Sequence, residues 1–123
     1  MVAGFLKVTT AAGVPVAARA RLLVGTLDQA LGLMFRLRMP AHALLFLLVP
    51  AREVTIHMWF VFFPIDVLWL DEQKRVVRTM TLRPWQVAPQ VRAQYVLELP
   101  IGAIRQAGIV KGETLVFDSG TVA

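Results

Sequence analysis

The chain has 123 residues, 57% of them apolar and 17% charged, with a formal net charge of +5 and no cysteine. That length is one domain by the usual size range, enough to bury a core without staples, and so apolar a composition excludes disorder over most of it. Without cysteine there are no disulfides, no thiolate chemistry and no cysteine-ligated metal; His42 and His57, the two histidines, stand about fifteen residues apart, so no histidine-rich metal site or cofactor is expected.

The predicted elements begin with strands. Phe5–Thr9 and Val14–Val24 flank the turn residues Ala11-Ala12-Gly13. In the second run Val16, Ala18, Ala20, Leu22 and Val24 alternate with positions that include Arg19 and Arg21, the period of a half-buried strand. The pattern changes at Gly25. Thr26 with Gln29 makes a capping box, Asp28 favours the helix dipole, and Leu27, Ala30, Leu31 and Met34 share one helical face, so a short helix is expected over Thr26–Arg36, ended by Met39-Pro40. Strands are expected at Ala43–Val49 and Val54–Phe62, joined through Pro50-Ala51-Arg52-Glu53.

Ile65–Leu70 and Arg75–Leu82 read as a hairpin across Asp71-Glu72-Gln73-Lys74, and Arg83-Pro84-Trp85 stops its second arm. A loop with Pro84 and Pro89 leads to a strand at Arg92–Leu99. Pro100 suits the first turn of a second helix, Ile101–Ala107, which Gly108 ends. A last strand, Thr114–Phe117, precedes a frayed tail at 118–123. Two short helices among about eight strands, spaced too tightly for repeated βαβ units, predict a mainly β domain, a compact sandwich or open barrel occupying residues 1–123.

The apolar runs 39–51 and 54–65 are too short to span a bilayer, which needs roughly 18–20 residues. The start, MVAGFLKVTT, carries no export-signal pattern, so a cytoplasmic location is expected. The basic residues are scattered, with no run, stripe or recognition motif, so nucleic acid is not the expected partner; weak nucleic-acid binding through the scattered Arg and Lys remains an alternative. The lack of Asn and Cys, with Pro in loops, fits heat adaptation, although the excess of Arg over Lys is also what a GC-rich genome yields.

Several motifs occur in order: Gly32-Leu33-Met34-Phe35-Arg36, Met58 with Phe63-Pro64-Ile65-Asp66-Val67 and Leu70-Asp71, Leu82-Arg83-Pro84-Trp85, Tyr95-Val96-Leu97-Glu98-Leu99-Pro100-Ile101-Gly102, and Lys111-Gly112-Glu113. The set resembles a conserved family of bacteria and archaea, domain of unknown function 192, over residues 14–117. The resemblance implies a compact β-rich fold and no particular reaction. Many bacterial members carry Trp-Met-Lys-Asn-Thr before the Pro-x-Asp; here His57-Met58-Trp59-Phe60-Val61 stands there, and with Leu82-Arg83-Pro84-Trp85 it is closer to archaeal members.

The scarce polar residues among aromatic runs mark the candidate site. Arg36 offers a fork for a carboxylate or phosphate, His57 a switchable donor or acceptor, and Trp59 and Trp85 apolar walls. Asp66 and Glu98 are carboxyl groups in apolar strands that must be paired or shifted in pKa. Asp66 is expected to pair with Arg36 or with backbone N–H groups, and Glu98 to meet an arginine or close the following helix's first turn. No nucleophile stands out: Ser119 is the sole serine and lies in the tail. The expectation is a non-catalytic module for a small molecule or protein, with Arg36, His57, Trp59, Asp66, Trp85 and Glu98 lining its surface. The alternative is a hydrolase using His57 with Asp66 or Glu98.

Overall fold

A computed structural model of the chain describes residues 2–24 and 33–119. Seven strands form one sheet: β1 (Val2–Thr10), β2 (Pro15–Val24), β3 (Ala43–Val54), β4 (Ile65–Leu70), β5 (Val76–Leu82), β6 (Val91–Pro100) and β7 (Leu115–Asp118), in the order β5-β4-β6-β3-β2-β1-β7. The sheet curls until its two edges meet. Arg75, beside β5, bridges Thr114, beside β7, and Val76 N–H donates to the Glu113 carbonyl at 2.8 Å. The result is the expected mainly β fold, an open barrel.

Strand alternation sorts side chains between the barrel's inside and outside. Every strand sends at least one residue to the inside, among them Val8, Ala20, Leu45, Leu68, Val76, Leu97 and Leu115, none more than 1% exposed. Burying a side chain such as Leu68 contributes about 1.5–3 kcal/mol. Near one end lies the described residues' one helix, α1 (Ala103–Ala107), whose Ile104 and Ala107 pack on this inner core. The outer face of β3, β4 and β6 is equally apolar, with Leu44, Phe46, Val67, Trp69 and Val96, so it needs a cover.

Connectivity supplies that cover. β2 and β3 are parallel; β3 and β4 are both antiparallel to β6, and β5 and β6 are both antiparallel to β4. Parallel strands need crossovers, and the described connecting residues 33–42, 55–64 and 83–90 lie over the sheet's outer face. Leu33, Met58, Val61 and Ala88, one or two from each crossover, are buried in the outer core.

Two strand expectations need correction. Val54–Phe62 is not a strand: past Val54 the chain makes one bridge, His57 to Val87, and a turn at Trp59-Phe60. A segment that must pass over β6 cannot also lie in the sheet; Met58 and Val61 turn inward and Trp59 and Phe60 outward. Ala43–Val49 instead continues to Val54 as a single β3. Leu47 pairs with Tyr95 and Arg52 with Ala93, so residues 48–51 bulge opposite Gln94 and accommodate Pro50, whose peptide with Val49 is cis. The helix expected over Thr26–Arg36 falls mostly outside the described residues; its described end, 33–36, is a turn with Phe35 left-handed at φ 65°.

The second helix is shorter than the expected Ile101–Ala107, because Pro100 still belongs to β6. Gly108 ends it as anticipated, left-handed at φ 66°. The Asp71–Lys74 hairpin forms as read, its Asp71 Oδ1 accepting Gln73 N–H and Arg75 N–H, both at 2.9 Å. Of the expected tail, Asp118 is the last residue of β7, and 120–123 lie outside the described residues.

Candidate functional site: a cavity under the crossovers

Between the outer face of the sheet and the crossover layer is an open cavity of about 230 Å³. Phe46, Leu48, Ile65 and Val96 form its sheet side, and Met34, Ile56, Met58 and Val61 are among the crossover residues facing them. Three polar side chains line it: Thr55, His57 and Glu98.

Glu98 is on β6, the strand between β3 and β4, paired with Leu44 on one side and Val67 on the other. Alternation puts it outward with Val96, onto the cavity, opposite Leu97 and Leu99. It is 8% exposed, and no hydrogen bond or ion pair from a described residue reaches its carboxyl. Burial alone pushes its pKa up to about 8. At neutral pH Glu98 is therefore mostly a neutral acid that presents one donor and free acceptor capacity to the cavity.

His57 borders the same cavity from the second crossover. Its Nδ1 accepts the Trp59 N–H at 3.3 Å, which assigns the proton of the neutral ring to Nε2. The ring lies 4.8 Å from the Trp59 ring, tilted by 30°.

Beside this wall is a chain of exposed rings. Phe35 stacks on Phe60 at 5.0 Å, Phe60 meets Trp85 edge-on at 5.0 Å, and Trp85 meets Phe62 at 6.5 Å. Phe35, Phe60 and Trp85 all have left-handed backbones, with φ of 65°, 60° and 68°. For bulky residues this costs about 1–3 kcal/mol each and persists only where surrounding structure holds it. The holding bonds are between crossovers: Phe35 N–H donates to the Phe60 carbonyl at 2.7 Å, Trp85 N–H to the Met58 carbonyl at 2.8 Å, and Met58 N–H to the Gln86 carbonyl at 2.7 Å.

The residues singled out from the sequence thus occupy three places. His57 and Glu98 share the cavity. Trp59 and Trp85 are on the exposed aromatic rim, about half exposed each, and Arg36 follows Phe35 on the same layer. Asp66 is on the other face of the sheet. Its Oδ1 accepts the Thr81 hydroxyl at 2.7 Å and its Oδ2 accepts Gly102 N–H and Ile104 N–H, each at 3.0 Å. Asp66, not Glu98, ties down the start of the helix, and Asp66 and His57 are on opposite faces and form no acid–base pair.

Thr55, Phe35 and Phe60 escaped the sequence reading. The aromatic density of 56–63 was the available signal for Phe60, but left-handed φ at a non-glycine residue has no sequence signature. His42 is half-buried: its buried Nε2 has no partner among the described residues, and its pKa is lowered by desolvation and by the charges of Arg21, Arg36 and Arg19. Among the described residues no group of His, Asp and Glu is arranged to hold a metal ion, and no helix is long and apolar enough to cross a membrane.

Comparison with known proteins places this architecture. A UPF0127 protein of Pyrococcus abyssi is 46% identical over 71 residues, covering 55% of this chain and 61% of that protein. One from Thermococcus gammatolerans is 40% identical over 63% of this chain, and the match spans 52% of that relative's length. One from Pyrococcus horikoshii is 40% identical over 67% of this chain and 72% of its own. A crystal structure of a candidate transcription regulator from Sinorhizobium meliloti superposes with a TM-score of 0.78 at 25% identity, covering 92% of both chains. A protein of unknown function from Novosphingobium aromaticivorans shares the fold with a TM-score of 0.73. The family described as uncharacterised ACR, domain of unknown function 192, matches residues 7–117, and the chain belongs to that family.

Proposed function

We propose that the protein is a cytoplasmic, non-catalytic binding module whose cavity takes a small, mostly apolar molecule and recognises its one polar group through the Glu98 carboxyl. The observation that carries this reading is Glu98, 8% exposed and without a partner among the described residues, opening onto 230 Å³ of otherwise largely apolar space. A buried acid without a partner destabilises the fold unless something hydrogen-bonds it. A cavity of about 150 Å³ holds benzene, so this one admits roughly nine non-hydrogen atoms. Thr55 and His57 add directional contacts at its wall.

Benzamide, which has a ring of the right size and a carbonyl for the Glu98 O–H, is the probe. In a backbone-amide NMR titration at pH 6.5 it is expected to shift the resonances of 54–58 and 96–98, and more strongly than toluene does. Glu98→Leu is expected to abolish the preference for benzamide. Shifts elsewhere only, or a preference that survives in Glu98→Leu, would overturn the reading. Hydrolysis with His57 as base gains no support: Asp66 is committed to three hydrogen bonds on the far face, and a neutral Glu98 does not stabilise an imidazolium.

A further inference from the structure

The crossover layer carries an exposed apolar surface beside the cavity. Leu37 is 84% exposed, Phe35 62%, Trp85 53% and Trp59 51%, and Phe60 links two of these rings into a continuous patch. Contiguous apolar surface of this kind on a soluble fold marks a contact site. The charge of its described part is one-sided, Asp28 of the first crossover lying outside the described residues. The described crossover residues 33–42, 55–64 and 83–90 include the exposed Arg36, Arg38 and Arg83, and no Asp or Glu. The exposed carboxylates Glu53, Glu72, Asp118 are on other segments.

The backbone of the layer is also prepared for loss of water. The N–H groups of Phe35, Met58, Val61, Trp85 and Ala88 all bond carbonyls within the layer. A loop surface can leave water only if its main-chain groups are paired internally. For stacking nucleic acid bases the patch is poorly built: Phe35 and Phe60 already cover one another's faces, and Leu37 and Val87 offer no stacking face.

We propose that this surface docks the protein on an anionic lipid bilayer, with Leu37, Trp59 and Trp85 at the boundary of headgroups and acyl chains and Arg38 and Arg83 on acidic headgroups. Aromatic and leucine side chains with arginines around them are the composition of interfacial membrane contacts, and arginines near the surface add attraction to acidic lipid that salt weakens.

The test uses the full chain with extruded vesicles of phosphatidylglycerol and phosphatidylcholine, and with pure phosphatidylcholine vesicles, by co-sedimentation and tryptophan emission. Binding to the anionic vesicles is expected, weakened by salt, with a blue shift from Trp59 and Trp85 over the constant signal of the fully buried Trp69. Leu37→Ser and Arg38→Glu are each expected to weaken binding at least tenfold while keeping the wild-type circular dichroism. Val110→Ser and Arg105→Glu, exposed positions around α1, are expected to bind like wild type. No sedimentation with anionic vesicles, equal loss in the α1-side variants, or a single-stranded oligonucleotide bound in preference to vesicles would overturn the proposal.

Discussion

Two carboxyl groups in neighbouring strands behave oppositely because of what faces them. Asp66 has three donors within 3.0 Å and is anchored. Glu98 has none among the described residues and holds its proton to about pH 8. Because the folded chain keeps this proton well above the ordinary carboxyl value of 4.5, the contribution to stability is full below about pH 4.5 and falls as pH rises toward about 8. The whole effect is on the order of 5 kcal/mol. Chemical denaturation of Glu98→Gln is expected to remove this slope and leave the variant more stable than wild type at pH 9. A retained slope would mean that another group carries it. His42, with its lowered pKa, acts in the opposite direction, since its neutral form is favoured and stability is lost as pH falls below about 6.5; pH 7–9 therefore isolates Glu98. Asp66→Ala strands two backbone N–H groups and the Thr81 hydroxyl, and a loss of about 3 kcal/mol is expected in urea unfolding; a loss under 1 kcal/mol would show that the helix start is held otherwise.

The crossovers are the elements that convert a barrel into a site. Each connects parallel strands and must cross the outer face, and together they bury Leu33, Met58, Val61 and Ala88. Met58 is central: its side chain is 1% exposed, its carbonyl accepts Trp85 N–H and Val61 N–H, and its own N–H reaches Gln86. Met58→Ala is expected to cost about 3 kcal/mol. Hydrogen exchange in that variant is expected to speed up together at 55–61 and 83–88, because each segment supplies the other's partners. Acceleration confined to 55–61 would show that the layer is not one cooperative unit. The same interdependence explains how three aromatic residues stay left-handed: the backbone bonds that hold Phe35 and Trp85 come from the segment carrying Phe60 and Met58.

At the scale of the whole molecule, the bonds between 74–76 and 112–115 shorten the open edges that invite misassociation. With edges bridged, a core on each face, no Asn or Cys, and Pro40, Pro64, Pro84 and Pro89 in the crossovers, the chain has the features of heat-adapted proteins. Its relatives include proteins of thermophilic archaea. Calorimetry is expected to place its melting point above about 75 °C, beyond the roughly 45–65 °C of ordinary mesophile domains; a midpoint inside that range would refute heat adaptation.

The sequence by itself determined what depends on local pattern. Alternating Val, Ala and Leu against Arg19 and Arg21 made β2 legible, Asp71–Lys74 marked the hairpin of β4 and β5, and Gly108 the end of the helix. Alternation also separated Glu98 from Leu97 and Leu99. The ordered motifs carried the family. Only the tertiary structure decided that Val54–Phe62 crosses the sheet rather than joins it, since a run of apolar and aromatic residues suits a strand and a buried strap equally well. It also decided which carboxyl had partners: the N–H groups that hold Asp66 are 36 and 38 residues away in sequence. Such distances leave no local trace, so two acids that look alike along the chain divide into an anchored carboxylate and a protonated group opening on a cavity.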